Sequence, residues 1–458
     1  MQPTVFHTPG HKLGRGIPPI FLKGLHLLDA TEIPGLDNLH YPEGVIAQAQ
    51  ALAAKAFGAD KTFFLVNGST CGIQASMMAL CNPGDKLIIA RDCHRSAIAG
   101  LMLSGAIPVY IKPEFNSVFG ISTVITAKCI EKALIKNPEA VGVYITRPNY
   151  YGVCSDIEKI AEVVHSHNRI LIVDEAHGAH LPFSKRLPPS SLECKVDICI
   201  QSAHKTLPAL TQGAYLHVNE GRIDTERIGF YLSLLQSSSP SYIIMAFLDI
   251  ARAIMQQRGK SKICRLLRDI QPFHEIAGVS GAFKILTKQD IKRGRIDKTR
   301  IVYNVADTGK TGFEIENILK ESYNIQVEMS DMYNIVCITT VSDTTEDLQR
   351  LHTAISKLAH MVGGVPLSGK ISFPGDLPLP TQCIEPNKVM LRPFSRKKLL
   401  EAAGCISKNM IVPYPPGIPL VCPGEVILKE TVEYINEVIK FGGMVNGVSE
   451  DLMIDIIN

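Results

Sequence analysis

The sequence predicts an α/β fold in which a large, mostly parallel sheet is covered by helices and followed by a smaller C-terminal α+β domain. From about Leu52 to Val218 short apolar runs alternate with helical stretches, the pattern of strand–helix–strand units. Most of these runs lead directly into Asn, Asp, His or Ser, as expected where strands buried on both faces end at a site. After about Arg293 the order changes to strands around a single helix.

Strands are expected at 63–66, 87–90, 109–111, 141–145, 170–173 and 198–201. In the later part they are expected at 300–305, 325–329 and 334–339. Between them Thr311 and Glu314 form a capping-box pattern, with Phe313, Ile315, Ile318 and Leu319 on the apolar face of the helix that follows. Residues 363–386 are rich in Pro and Gly and read as an irregular connection, before a strand at 388–392, a helix at 395–403 and a helix at 426–439. This divides the chain into an N-terminal segment (1–45), a large domain (46–292) and a small domain (293–458).

Composition excludes several classes of function. With 47 basic and 44 acidic residues in no long block, neither nucleic acid nor a membrane surface is expected as partner. No apolar run is long enough to span a bilayer, and the first sixteen residues lack a signal core or an Arg/Ser-rich transit segment. Twelve scattered cysteines without a Cys-x-x-Cys pair favour thiols in a reducing compartment: the cytoplasm, or a plastid if a transit peptide has been removed. His7 and His11 have an i, i+4 spacing, but Pro9 and Gly10 between them argue against a helical metal site, and no metal is expected.

The chemistry sits at strand ends. Lys205 follows the run 196–200 within Ser202-Ala203-His204-Lys205-Thr206, where burial makes an amine nucleophilic. Asp174 ends the run 170–173 and is placed to pair with a protonated pyridine nitrogen, which strengthens a ring as an electron sink. Asn67-Gly68-Ser69-Thr70-Cys71-Gly72 joins a strand to a helix, with small residues that leave N–H groups free for a phosphate. His94, after the strand at 87–90, offers a flat imidazole to stack on a ring. Each has an ordinary alternative: a surface lysine, a turn-capping aspartate, a common βα turn, a loop histidine. Together, in chain order, they match a cofactor that needs one group of each kind.

The chain resembles the ornithine/lysine/arginine decarboxylases, pyridoxal-phosphate enzymes of fold type I with an aspartate-aminotransferase-like, seven-stranded large domain. The resemblance covers nearly the whole chain. It is carried by His7-Thr8-Pro9-Gly10-His11-Lys12, Gly35-Leu36-Asp37-Asn38-Leu39, Pro42-Glu43-Gly44, the Asn67–Thr70 turn, Asp174-Glu175-Ala176-His177-Gly178-Ala179-His180 and Ser202–Pro208, and by Pro413–Pro419 and Pro423-Gly424-Glu425 near the end. It implies that Lys205 holds pyridoxal 5'-phosphate as a Schiff base, Asp174 pairs with the pyridine nitrogen and His94 stacks on the ring. It also implies that Ser69, Thr70, Ser202 and His204 hold the phosphate, while Ala176 and His177 line the ring pocket.

The implied reaction is decarboxylation of arginine, lysine or ornithine to agmatine or a diamine for polyamine metabolism, with Lys205 or His204 protonating the α-carbon. Glu425 is the candidate partner for the substrate's distal cation; its alternative is an acid in the first turn of the helix at 426–439. The resemblance further implies the short form of the family, lacking its usual leader, and a homodimer or higher homo-oligomer to which the N-terminal segment contributes. Two other readings remain: another fold type I reaction such as transamination, for which Arg392 would be the carboxylate-holding arginine, and a non-catalytic descendant that binds partners.

Overall fold

The computed structural model describes residues 3–33, 35–276, 282–362, 377–414 and 417–458. Its centre is a seven-stranded sheet of β1 (Lys61–Leu65), β2 (Lys86–Ala90), β3 (Ile107–Ile111), β4 (Gly142–Thr146), β5 (Ile170–Asp174), β6 (Ile198–Gln201) and β7 (Ala214–Val218). In space they lie in the order β1-β7-β6-β5-β4-β2-β3. Only β7 is antiparallel to its neighbours, and β5 lies in the middle.

Both faces of the sheet are covered, which explains the continuous apolar runs. Ile88, Val143, Ile145 and Val173 enter one core, while Leu87, Ile89, Tyr144 and Ile172 enter the other. Turning one residue in a strand therefore exchanges one core for the other. After β3 the chain crosses back to place β4 on the far side of β2, and this change in direction opens a crevice at the carboxyl ends of the strands. Helices α1 (Gly68–Leu80) and α2 (Arg95–Ser104) start at that end.

Six of the seven strands follow the expected positions. β7 was implied by the family resemblance alone, because its run is interrupted by His217. That histidine is buried and bonded to Thr62 Oγ1 at 2.7 Å and Gln201 Oε1 at 3.3 Å, so the neighbouring strands satisfy it.

The long helix α3 (Tyr242–Ile276) leads to a four-stranded antiparallel sheet in the order β8-β9-β11-β10, with β8 (Lys284–Ile285), β9 (Arg300–Asn304), β10 (Met329–Ser330) and β11 (Asn334–Ile338). Helices α4 (Gly312–Tyr323) and α5 (Thr345–Met361) pack on it through Ile315, Leu319, Leu348 and Leu351. The Thr311–Glu314 capping box forms as expected: Glu314 N donates to Thr311 Oγ1 and Thr311 N donates to Glu314 Oε2. The N-terminal strand Thr4–Phe6 runs parallel to Ile325–Val327 and carries Phe6 into the same core.

The C-terminal region departs from expectation. Pro386–Val389 is a helical turn, not part of a strand, and residues 394–398 form strand β12 (Phe394–Lys398) instead of a helix. The run Ser395-Arg396-Lys397-Lys398 is compatible with a helix, but antiparallel pairing with β13 (Met453–Ile457), some sixty residues away, decides its conformation. The last helix, α6, covers Lys429–Lys440 and so starts later than expected. Most of the expected connection at 363–386 lies outside the described residues. No helix among them is long and apolar enough to cross a membrane.

At the end of β5, the fully buried Glu175 accepts from Arg147 Nη1 (3.1 Å), Ser190 Oγ (2.9 Å), Ser191 N (2.9 Å), Ser191 Oγ (2.7 Å) and Gln201 Nε2 (2.7 Å). Arg147, itself 1% exposed, also donates through Nε to Ser155 O. Replacing Arg147 with Met leaves this carboxylate without its cation. The expected cost is about 3–5 kcal/mol, read as a lower midpoint in thermal or denaturant unfolding.

Candidate active site

The crevice holds a cavity of about 670 Å³. The strand ends and the helix starts that follow them aim at it, so residues separated by more than a hundred positions share one space. Ser69, Thr70, His94, Asp174, Ala176, His177, Ser202, His204 and Lys205 all line it.

Asp174 ends β5 at 2% exposure. Its Oδ2 accepts from Tyr144 Oη at 3.0 Å and its Oδ1 from Ala176 N at 3.0 Å. No cation among the described residues forms an ion pair with it. Burial pushes its carboxyl upward against the opposing pull of the Lys205 charge. A flat cation entering the cavity meets a carboxylate that needs one.

On the same cavity α1 begins with Gly68, Ser69 and Thr70, and the Asn67 side chain does not cap it. The first N–H groups of a helix have no partner within it, and the helix dipole adds positive potential there. Ser202 Oγ donates to Ser69 Oγ at 2.8 Å, bringing two hydroxyls to the same end. This donor set fits a phosphate.

His94 caps α2: Ser96 N donates to its Nδ1 at 3.3 Å. Burial, reinforced by the Lys205 charge, lowers it to about 3, so it presents a neutral ring. Gly417 supports that ring from the C-terminal region. A Cβ at this position would stand 3.2 Å from His94 Cδ2 and Nε2, and φ is +83°, so glycine meets both demands. The neighbouring Pro415 and Pro416 of the C-terminal motif lie outside the described residues.

Lys205 sits in the short helical turn Ala203–Thr206 after β6. Its Nζ lies 3.1 Å from His177 Nε2 and 5.8 Å from the centre of the Tyr150 ring. Burial lowers its pKa, with Asp174 and Glu328 opposing. His204 Nδ1 donates to Gly213 O at 3.0 Å, and burial with the Lys205 charge lowers this histidine to about 4.

A buried aspartate without an ion pair among the described residues, an uncapped helix start with paired hydroxyls, and a desolvated lysine thus face one cavity in a chain of this topology. Residues 1–296 match the model of the Orn/Lys/Arg decarboxylase major domain, and residues 380–453 that of the C-terminal domain. The chain belongs to the Orn/Lys/Arg decarboxylase family.

Within that family it is 36% identical to an arginine decarboxylase of Bacillus subtilis, covering 99% of this chain and 94% of that protein. It is 35% identical to an arginine decarboxylase of Bacillus anthracis, covering 97% and 92%. Among solved structures, lysine decarboxylase LdcF of Francisella novicida superposes with a TM-score of 0.81 at 20% identity, covering 99% of this chain and 79% of that one. The expectation of a plastid finds no support in these bacterial relatives.

Glu425 is not brought to the cavity. It is fully buried, its Oε2 accepts from Arg91 Nη2 at 3.0 Å and from Cys422 N at 2.6 Å, and it precedes α6 by several residues. Both expectations for it yield to this ion pair. The cavity's own further carboxylates are Glu316 and Glu328, the latter accepting from Thr8 N at 2.7 Å. Arg392 is exposed and does not line the cavity. Tyr150, Thr146 and Glu328, which line the cavity, and Arg300, which meets His177 beside it, are not marked in the sequence: the first two follow or end β4 without a motif, Glu328 directly precedes β10 and Arg300 opens β9, and no local pattern reveals the approach of that small sheet.

Asp92, two residues before His94, lines an adjoining cavity that shares Tyr150 and Tyr414 with the first. Burial raises its carboxyl from 3.8 to about 6, with Arg91 opposing. A pKa raised on folding adds no penalty below about pH 4 and an increasing one as pH rises through 6. Asp92→Asn is therefore expected to raise the thermal midpoint at pH 8 and to leave it unchanged at pH 4, checked by melting the two proteins across this range.

Proposed function

We propose that this protein is a pyridoxal-phosphate-dependent decarboxylase of a basic amino acid, arginine before lysine or ornithine, whose agmatine or diamine product enters polyamine metabolism. The observation that carries the reading is the convergence of Lys205 and the cation-free carboxylate of Asp174 on one cavity, in a chain similar to arginine decarboxylases over its whole length.

When bound, the cofactor supplies a sink for the electron pair left as the α-carboxylate departs. Lys205 is the residue that joins it. Asp174 would hold the pyridine nitrogen, the neutral His94 ring would stack on the pyridine, and Ala176 and His177 would line the ring pocket. Ser69, Thr70 and Ser202 would take the phosphate, whereas neutral His204, with Nδ1–H given to Gly213 O, has only a lone pair to offer there. His204 has one proton, spent on Gly213 O, so Lys205 is the better placed of the two to protonate the α-carbon. Glu316 and Glu328 supply negative charge for the substrate's distal cation in place of Glu425.

A homodimer suits the surface of the N-terminal segment. Ile20 (74% exposed), Leu27 (75%) and Tyr41 (77%) leave apolar area that a second copy of the chain can cover. Transamination is the weaker reading because Arg392 is exposed.

Borohydride reduction of the cofactor-loaded protein followed by peptide mass spectrometry is expected to place a pyridoxyl group on Lys205. An unmodified Lys205 would falsify the cofactor assignment. Carbon dioxide release is then measured with arginine, lysine and ornithine separately, with arginine expected to be fastest and Lys205→Ala to give background release only. Keto-acid formation without carbon dioxide would move the protein to the aminotransferases, and no reaction of any kind to the non-catalytic reading.

A further inference from the structure

Arg300 opens β9 and is 2% exposed. Among the described residues it forms no ion pair, and its Nε and Nη1 have no hydrogen-bond partner. Its Nη2 lies 2.9 Å from His177 Nδ1, while the other nitrogen of that ring, Nε2, lies 3.1 Å from Lys205 Nζ. The three side chains form a line: guanidinium, imidazole, amine.

The protons in this line are determined by what each group can do. A guanidinium has donors only and does not deprotonate in proteins, so Nδ1 of His177 accepts. A neutral imidazole then carries its one proton on Nε2. A second proton would make an imidazolium in a buried space beside Arg300; burial, reinforced by the Arg300 charge, holds His177 well below its ordinary value. With Nε2–H as donor, Lys205 Nζ is the acceptor. Only the neutral amine has a lone pair to accept with.

We propose that Arg300 is a positioning residue which, by fixing the tautomer of His177, holds Lys205 as its free base. This rests on Lys205 being the residue that joins the cofactor. Condensation with an aldehyde makes a carbon–nitrogen double bond and releases the aldehyde oxygen with both amine protons as water, so it starts from the neutral amine. The hydrogen bond from Nε2 and the positive charge of Arg300 both oppose protonation of Nζ. Asp174 and Glu328 favour it, and the neutral rings of His94 and His204 add no charge. Burial alone would also depress a lysine, but it leaves the tautomer of His177 undetermined and gives His177 no part in the ionisation of Lys205.

The test uses the full chain freed of cofactor with hydroxylamine. In protein labelled with ¹⁵N-histidine, the His177 signals, assigned by their loss in His177→Gln, are expected to show an unprotonated Nδ1 and a protonated Nε2. The opposite tautomer, or an imidazolium at neutral pH, overturns the proposal. Acetylation of Lys205 across pH, read by peptide mass spectrometry, gives its ionisation midpoint. That midpoint is expected to rise by about one pH unit in His177→Phe, which keeps Arg300 but removes the donor, and by at least as much in Arg300→Met.

A midpoint unmoved in His177→Phe means that burial acts alone and sinks the relay. Should either variant fail to fold, the tautomer in the unsubstituted protein decides. Both measurements are made without cofactor, so they separate from the borohydride result. A correct tautomer and shift with no pyridoxyl on Lys205 discards the cofactor assignment, and with it the role proposed for the free base.

Discussion

The buried carboxylate of Glu175 is the contact on which the site depends. A charge with no exposure is tolerated only when cation and hydrogen bonds replace its water, and Glu175 has both. Its partners come from the end of β4 through Arg147, from β6 through Gln201, and from the loop at 190–191. One side chain therefore fixes how far β5 extends relative to β6. Asp174, its neighbour, and Ser202, next to Gln201, inherit their separation from it. Because the hub is rigid, the cavity can leave Asp174 without a cation, a condition that a looser strand end would relieve by turning the carboxylate toward water.

The N-terminal motif completes this geometry from below. Gly10 N donates to His204 O at 2.6 Å, and a Cβ on Gly10 would stand 2.7 Å from Leu207 O, so only glycine lets the segment approach the turn that bears Lys205. Lys12, fully buried, donates to Ile338 O and lies 3.8 Å from Asp343, tying the same segment to the small sheet. Thr8 N reaches Glu328. A stretch of six residues thus connects the turn carrying Lys205 to the small sheet that supplies Arg300 and to Glu328 just before β10, which accounts for a motif so far in sequence from the lysine it serves.

What was legible in the sequence is what local chain geometry decides. Ser69, Thr70, His94, Asp174, Ser202 and Lys205 each end a strand or come within five residues of its end, and all strands but β7 point the same way, so reading the ends of apolar runs collects them in one place. Glu425 shows the limit: its motif placed it near the site, but Arg91 competes for its carboxylate, and that pairing depends on tertiary approach. The same holds for residues 394–398, whose composition permits a helix until β13 offers its backbone groups. Arg300 stands 95 positions from Lys205 in an unremarkable strand, and its contact with His177 becomes visible only when the two sheets meet.

The absence of one residue type from the cavity wall bears on which bond breaks. Among the described residues, no arginine lines the cavity. An arginine clamp would bind the α-carboxylate of the substrate strongly while it is charged, and that interaction would be lost as the group leaves as neutral carbon dioxide. Stabilising the starting state more than the transition state raises the barrier. With Asp174, Glu316 and Glu328 on a wall that also carries Lys205 and Lys320, a carboxylate held there without an arginine clamp gives up less attraction on leaving than a clamped one would. A lining without such a clamp is suited to losing the carboxylate more than to keeping it, which agrees with the decarboxylase family to which the chain belongs.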